Sequence, residues 1–168
     1  SYNTAALKTA SGLLPENAEL EIADISSIPF FNEDVEAQGE PAAVKELKEK
    51  ISGADAVLIA TPEYNYSISG VLKNTLDWLS RGEIKPLAGK PLAIISASMG
   101  IFGGVRAQNH LRQTCVILDA KPLNKPEVFI MSAHNKFDSE GKLKDDFSKD
   151  LISKLMAELV SEAEKAKV

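Results

Sequence analysis

The sequence predicts an α/β domain, a doubly wound parallel sheet with helices on both faces. Three observations carry this. Short apolar runs alternate with segments of helical periodicity along the chain. Runs such as Ala56-Val57-Leu58-Ile59-Ala60 and Leu92-Ala93-Ile94-Ile95-Ser96-Ala97 are apolar nearly throughout, as strands covered on both faces are. Each of these two runs opens into a polar or glycine-rich loop that feeds a helix, and ligands of open α/β sheets sit beyond the carboxyl ends of the strands.

The elements follow in order. Residues 3–14 read as a helix, with Ala6, Leu7, Ala10 and Leu14 at helical spacing and Ser1 or Asn3 as cap. Residues 19–24 alternate in polarity and read as a strand. Residues 28–41 form a long loop bounded by prolines, with the aromatic and acidic run Phe30-Phe31-Asn32-Glu33-Asp34; loops of this length in compact domains tend to serve binding or an interface. Pro41 marks the start of a helix striped by Val44, Leu47 and Ile51. A strand at 55–60 then runs into Thr61-Pro62-Glu63-Tyr64-Asn65-Tyr66-Ser67-Ile68-Ser69-Gly70. The helix beyond it, 71–81, places Leu72, Leu76 and Leu79 on one side, with Trp78 beside them as a core residue. After a turn at 87–91 come a buried strand at 92–97, a glycine-rich loop at 98–104 and a helix at 105–115. Residues 116–118 are expected to begin the next strand, which 127–131 complete beyond a loop at 121–126. The polar stretch 134–144 is expected at a mobile surface, and a last helix carries the stripe Leu151, Ile152, Leu155, Met156, Leu159 and Val160.

Four strands are thus readable, and the chain opens on a helix. A doubly wound domain begins with a central strand and a phosphate-binding turn; in the order 2-1-3-4-5, strand one lies between strands two and three. Without it, the strands at 19–24 and 55–60 would pair directly or face a gap. The expectation is one domain over residues 1–168, incomplete at its amino end, with the first strand and most of the phosphate loop outside the chain.

Composition narrows the function. The 168 residues are 44% hydrophobic and 26% charged, ordinary for a globular domain with one core. A net charge of −5 argues against nucleic acid or acidic membrane surfaces as main partners. No apolar run approaches the ~20 residues of a membrane helix, so membrane insertion is not expected and the expected location is the cytoplasm. The single cysteine, Cys115, excludes an intrachain disulfide and reads as a buried, inert thiol. His110 and His134 show no metal-ligand spacing, and no metal site is expected. The chain has no Gly-x-Ser-x-Gly elbow, no Walker loop and no Gly-x-Gly-x-x-Gly after a strand.

Two loops at adjacent strand ends remain. Residues 62–66 offer backbone amides, a carboxylate, a side-chain amide and two phenol rings; residues 98–104 offer hydroxyls and glycines that let a ligand approach the backbone. Together they suit a flat heteroaromatic ligand with polar edges. On the residues alone, Tyr64 and Tyr66 read equally well as amphipathic surface residues, and Glu63 reads more readily as a solvated charge or structural partner than as a catalyst.

The same residues resemble the NADPH-dependent FMN reductase family, and within it the bacterial quinone and chromate reductases. The resemblance rests on residues 61–66, Gly70-Val71-Leu72-Lys73-Asn74, Asp77-Trp78, Asn32-Glu33-Asp34-Val35, Ser98-Met99-Gly100 with Gly103-Gly104, Arg106 with His110-Leu111-Arg112-Gln113, and Asn124-Lys125-Pro126-Glu127. It implies a flavodoxin-like fold, non-covalent FMN, and hydride transfer from NADPH or NADH through FMN to quinones, flavin, azo compounds, ferric complexes or chromate, in a ping-pong order with no side chain acting as acid, base or nucleophile. It places Pro62, Glu63, Tyr64 and Asn65 at the isoalloxazine ring, mainly through backbone groups, with Tyr66 beside them and Ser98, Met99 and Gly100 flanking the ring. Ser1 and Asn3 match the end of the family's phosphate loop. It also implies a homodimer or homotetramer, with Arg106 and Glu127 at a subunit contact; Asn109 stands where some relatives have tyrosine. The alternative is an electron carrier without NAD(P)H activity of its own. The small-molecule acceptor is left open.

Overall fold

The structure, a computed structural model, describes residues 1–167. Its sheet contains β1 (Val57–Thr61), β2 (Pro91–Ala97), β3 (Lys121–Pro122) and β4 (Val128–Ile130). Every pairing is parallel. β1 lies against β2 from Val57 opposite Leu92 to Thr61 opposite Ser96. The other edge of β2 carries β3 along its start and β4 along its end, with Pro91 opposite Lys121 and Ile95 opposite Val128. β2 is therefore the central strand, and all seven of its residues are buried.

The helices are α1 (Tyr2–Ser11), α2 (Glu33–Ala37), α3 (Ala42–Gly53), α4 (Gly70–Leu79), α5 (Val105–Ile117), α6 (Ala133–Lys136) and α7 (Asp146–Lys165). Successive side chains of a strand point to opposite faces, so the unbroken apolar run of β2 serves two cores. Ala93, Ile95 and Ala97 join Ala6 and Ala10 of α1 and Ile152, Leu155 and Met156 of α7. Leu92 and Ile94 join Leu72 and Leu76 of α4 and Ala107, Leu111 and Cys115 of α5, with Leu47 of α3. Alanines on α1 and β2 let that helix lie close to the sheet. No helix among the described residues is long and apolar enough to cross a membrane.

Two sequence expectations are corrected and a third is refined. Residues 19–24 form no strand: they run without a ladder partner and are mostly exposed, with Glu21 paired to Lys50 of α3 at 3.0 Å. Their alternating pattern is that of a strand, but a strand needs a neighbour to satisfy its backbone groups, and among the described residues β1 pairs only with β2. The observed order therefore contains the 3-4-5 part of the expected arrangement. Residues 116 and 117 end α5 and stand exposed; the chain re-enters the sheet only at Lys121. The 134–144 stretch lies mostly at the surface, as expected, but Phe137 and Leu143 form a bridge and are buried in the core beside α1.

The long 28–41 loop contains α2 and is tied to α4. The N–H of Phe31 donates to Asn74 Oδ1 at 2.7 Å, and Asn74 Nδ2 and Trp78 Nε1 both donate to the Pro29 carbonyl at 2.8 Å. Trp78 is buried, as expected, and meets Phe31 edge-on at 4.9 Å. Lys48 of α3, almost fully buried, bonds Glu40 and donates to the Arg81 carbonyl at 2.8 Å, closing the loop's other end.

Candidate active site

The site begins where β1 stops. Pro62 ends the ladder, and a two-residue hairpin follows: the N–H of Tyr64 donates to the Ser67 carbonyl at 2.9 Å and the N–H of Ser67 to the Tyr64 carbonyl at 3.0 Å. Its central residues, Asn65 and Tyr66, have φ of 50° and 66°. Both are left-handed, as a type I′ turn requires. Asparagine tolerates this conformation, but a tyrosine there is strained and needs outside support. The central N–H groups of such a turn cannot bond within it, and among the described residues nothing accepts from those of Asn65 and Tyr66. Both Tyr64 and Tyr66 rings are exposed.

The second loop leaves β2. The N–H of Ser98 donates to the Ile130 carbonyl at 3.0 Å, that of Ala133 to the Ser98 carbonyl at 2.9 Å, and that of Ser132 to the Gly100 carbonyl at 3.1 Å. The loop backbone is thus fastened to the end of β4, while Met99, Ile101 and Phe102 stand exposed above it. The Ser98 hydroxyl accepts from the Gly100 N–H at 3.1 Å. Gly103 and Gly104 are required by space and by backbone: φ is 60° and 90°, and a Cβ would lie 2.9 Å from Phe129 Cβ and 2.6 Å from Ser96 Cβ, respectively. Below them, Ser96 Oγ donates to the Gly103 carbonyl at 2.6 Å and accepts from Gln108 Nε2 at 2.9 Å.

One ion pair ties the hairpin to the start of α5. Glu63 Oε2 accepts from the backbone N–H groups of Arg106 and Ala107 at 3.0 and 3.2 Å, and its Oε1 meets Arg106 Nη1 at 3.4 Å. The Arg106 guanidinium lies between the rings of Tyr66, 4.0 Å away, and Phe102, 4.4 Å away. Cation–π contact of this kind is worth about 0.5–2 kcal/mol per ring and supplies the support that the strained Tyr66 needs. Four residues further along α5, His110 Nδ1 lies 3.0 Å from Ser67 Oγ.

The amino terminus of α1 reaches the same end of the sheet. Asn3, buried, uses its side-chain amide as a short strand: Nδ2 donates to the Ala97 carbonyl at 3.0 Å and Oδ1 accepts from the Ala97 N–H at 2.9 Å. Ser1 caps the helix, its Oγ accepting from the Thr4 N–H at 3.5 Å.

Of the residues singled out in the sequence, Pro62, Glu63, Tyr64, Asn65 and Tyr66 form the hairpin, and Ser98, Met99 and Gly100 the neighbouring ledge. The Glu63 carboxylate points into the protein as a structural partner. Sequence reasoning gave Phe102 no role beyond its place in the glycine-rich loop; Arg106 and His110 carried a signal only through the resemblance. Glu127 pairs with Lys125 at 3.2 Å. Two open hollows, of about 690 and 320 Å³, lie at the opposite ends of the strands, beside Leu123 and Glu162 and beside Asp55 and Lys90. Neither touches the loops just described.

Residues 1–135 match the family described as NADPH-dependent FMN reductase. The chain belongs to that family. The NAD(P)H-dependent FMN reductase of Pseudomonas aeruginosa is 57% identical over 159 residues, spanning 95% of this chain and 86% of that one. The quinone reductase of Escherichia coli K12 is 46% identical over 142 residues, spanning 83% and 76%. Among solved structures, the flavoenzyme NAD(P)H:(acceptor) oxidoreductase of Paracoccus denitrificans superposes with a TM-score of 0.88 at 30% identity, covering 99% of this chain and 91% of that one. This member of the FMN reductase family therefore has the flavodoxin-like fold, with its two clamped loops at the strand ends where that fold binds ligands.

Proposed function

We propose that the protein is an FMN-dependent NAD(P)H oxidoreductase that delivers electrons to quinones, flavin, azo compounds or metal-ion acceptors such as chromate. The observation that carries this reading is the 62–66 hairpin, whose turn leaves the N–H groups of Asn65 and Tyr66 without acceptors among the described residues, beside two exposed phenol rings. That donor set fits the hydrogen-bonding rim and flat face of an isoalloxazine ring. The exposed Met99, with Ser98 and Gly100, offers the ring an apolar and close-approaching second wall. In the first turn of α1 the N–H groups of Tyr2 and Asn3 have no acceptor among the described residues, and with the positive end of the helix dipole they suit a phosphate. Ser1 and Asn3 stand there, with the Asn3 side chain committed to Ala97, so its contribution would come from the backbone.

Residues 62–66 and 98–100 would hold the FMN ring, and the bound cofactor would supply the redox chemistry between NADPH or NADH and the acceptor. The chain's own residues bind and orient. The hairpin amides favour negative charge at the ring edge, and the exposed ledge leaves room for the nicotinamide and acceptor to alternate. No side chain is assigned as acid, base or nucleophile.

The proposal extends to a homodimer or homotetramer, supported by the exposed Val116 and Ile117 at the end of α5, and to action in the cytoplasm. Sedimentation velocity on the purified protein tests the assembly, and a monomer at micromolar concentration would end that part. The activity is tested by NAD(P)H oxidation with a quinone, using protein loaded with FMN. The expected result is turnover well above that of the same amount of free FMN. Turnover equal to free FMN would reject the enzyme and leave an electron carrier.

A further inference from the structure

We infer that Glu63 is a positioning residue whose carboxylate ties the ring-facing hairpin to the start of α5, and that Arg106 cancels its charge, so that the pair sets both the hold on FMN and the cofactor's redox potential. This rests on the FMN reading above.

The argument starts from a helix that cannot cap itself. The N-cap of α5 is Gly104, which has no side chain, and a Cβ there would lie 2.6 Å from Ser96 Cβ. The N–H groups of Arg106 and Ala107, the second and third residues of the helix, are those an N-cap side chain ordinarily serves. They donate to Glu63, 43 and 44 residues earlier in the chain. The Glu63 side chain is 11% exposed, so a carboxylate that lost these donors would be left largely buried and unpaired. The hairpin therefore cannot move away from α5 without losing two charge-assisted hydrogen bonds, the helix dipole and the Arg106 pair. Asn65 and Tyr66, which carry the outward amides, stand two and three residues further on and move with it.

Charge gives the pair its second role. An uncompensated carboxylate this close to the ring-facing amides would oppose the arrival of electrons. The Arg106 guanidinium, held by Glu63 and by the faces of Tyr66 and Phe102, supplies the opposite charge at a fixed place. The amides are left to favour the electron-rich cofactor. The tether and the charge balance share one pair of residues, yet different substitutions separate them.

Two arms test this. In the protein without FMN, Glu63→Ala should speed amide exchange at Arg106 and Ala107 by about tenfold or more, the factor for losing a charge-assisted hydrogen bond, while exchange in the later turns of α5 stays unchanged. Unchanged exchange at those two amides would overturn the tether. In the FMN-loaded protein, Glu63→Gln should raise the midpoint potential, Arg106→Met should lower it, and the double variant should return close to the unsubstituted protein. A purely structural role would move both single variants in one direction, and shifts of the same sign, or none, would overturn the charge balance. If the unsubstituted protein takes up no FMN from excess, the FMN reading and the charge role fall together, while the exchange arm still decides the tether.

Discussion

Gly104 has no freedom to become anything else, and Gly70 has a good deal. A methyl group at Gly104 would collide with Ser96 of the central strand, at a backbone angle that side chains rarely adopt. Gly104→Ala should therefore destabilise by roughly 3 kcal/mol or more, read as a lowered urea midpoint. Gly70, the first residue of α4, has open space and an ordinary backbone, so Gly70→Ala should stabilise by about 0.4–1 kcal/mol. Equal effects would contradict this packing. Asn3 makes a second residue-scale case. Asn3→Leu strands the N–H and the carbonyl of Ala97, both buried, and should cost roughly 2 kcal/mol or more in the same measurement. The sequence marked Asn3 through a ligand motif, and its bond to Ala97 was illegible because it spans 94 positions. Glu63 is similar. Its type and place were visible, but its partners are backbone groups of a helix that no local pattern links to it.

Elements were legible where periodicity and burial agree. β2 and α7 have one pattern each and were read directly, whereas residues 19–24 had the pattern of a strand without a neighbour to pair with. The end of α5 was misread because Val116 and Ile117 are β-branched and apolar, yet remain helical and exposed; propensity is a weak guide at the last turn of a helix. α7 offers a pH test. Asp145 caps it, accepting from the Ser148 N–H at 2.9 Å, and the Ser148 hydroxyl, with Lys136 beside it, holds the carboxyl below its ordinary range. A carboxyl lowered by folding contributes stability above its unfolded value and loses it as pH falls through the folded one. Asp145→Ala should therefore cost about 1 kcal/mol at neutral pH, with the gap closing below about pH 4. A gap that persists unchanged in acid would show that the charge contributes nothing.

At the scale of the whole molecule, a parallel sheet carries two cores, and at its strand ends one ion pair locks the hairpin to the start of α5. The fold class was legible because a buried parallel sheet writes continuous apolar runs into the chain. The place of the two candidate loops at the strand ends was legible because each apolar run opens into its loop at its carboxyl end, where such sheets bind ligands. What joins the two loops was not, since Glu63, Tyr66, Phe102 and Arg106 come from different segments and meet only in the folded chain. The central claim is that this platform holds FMN and lets NAD(P)H and an acceptor use it in turn. The most direct test is anaerobic absorption spectroscopy of the FMN-loaded protein, first with NADPH or NADH and then with a quinone. The visible flavin band should bleach on the first addition, faster than for free FMN, and return on the second. A band that persists with both nicotinamides, or bleaches no faster than free FMN, would contradict the account.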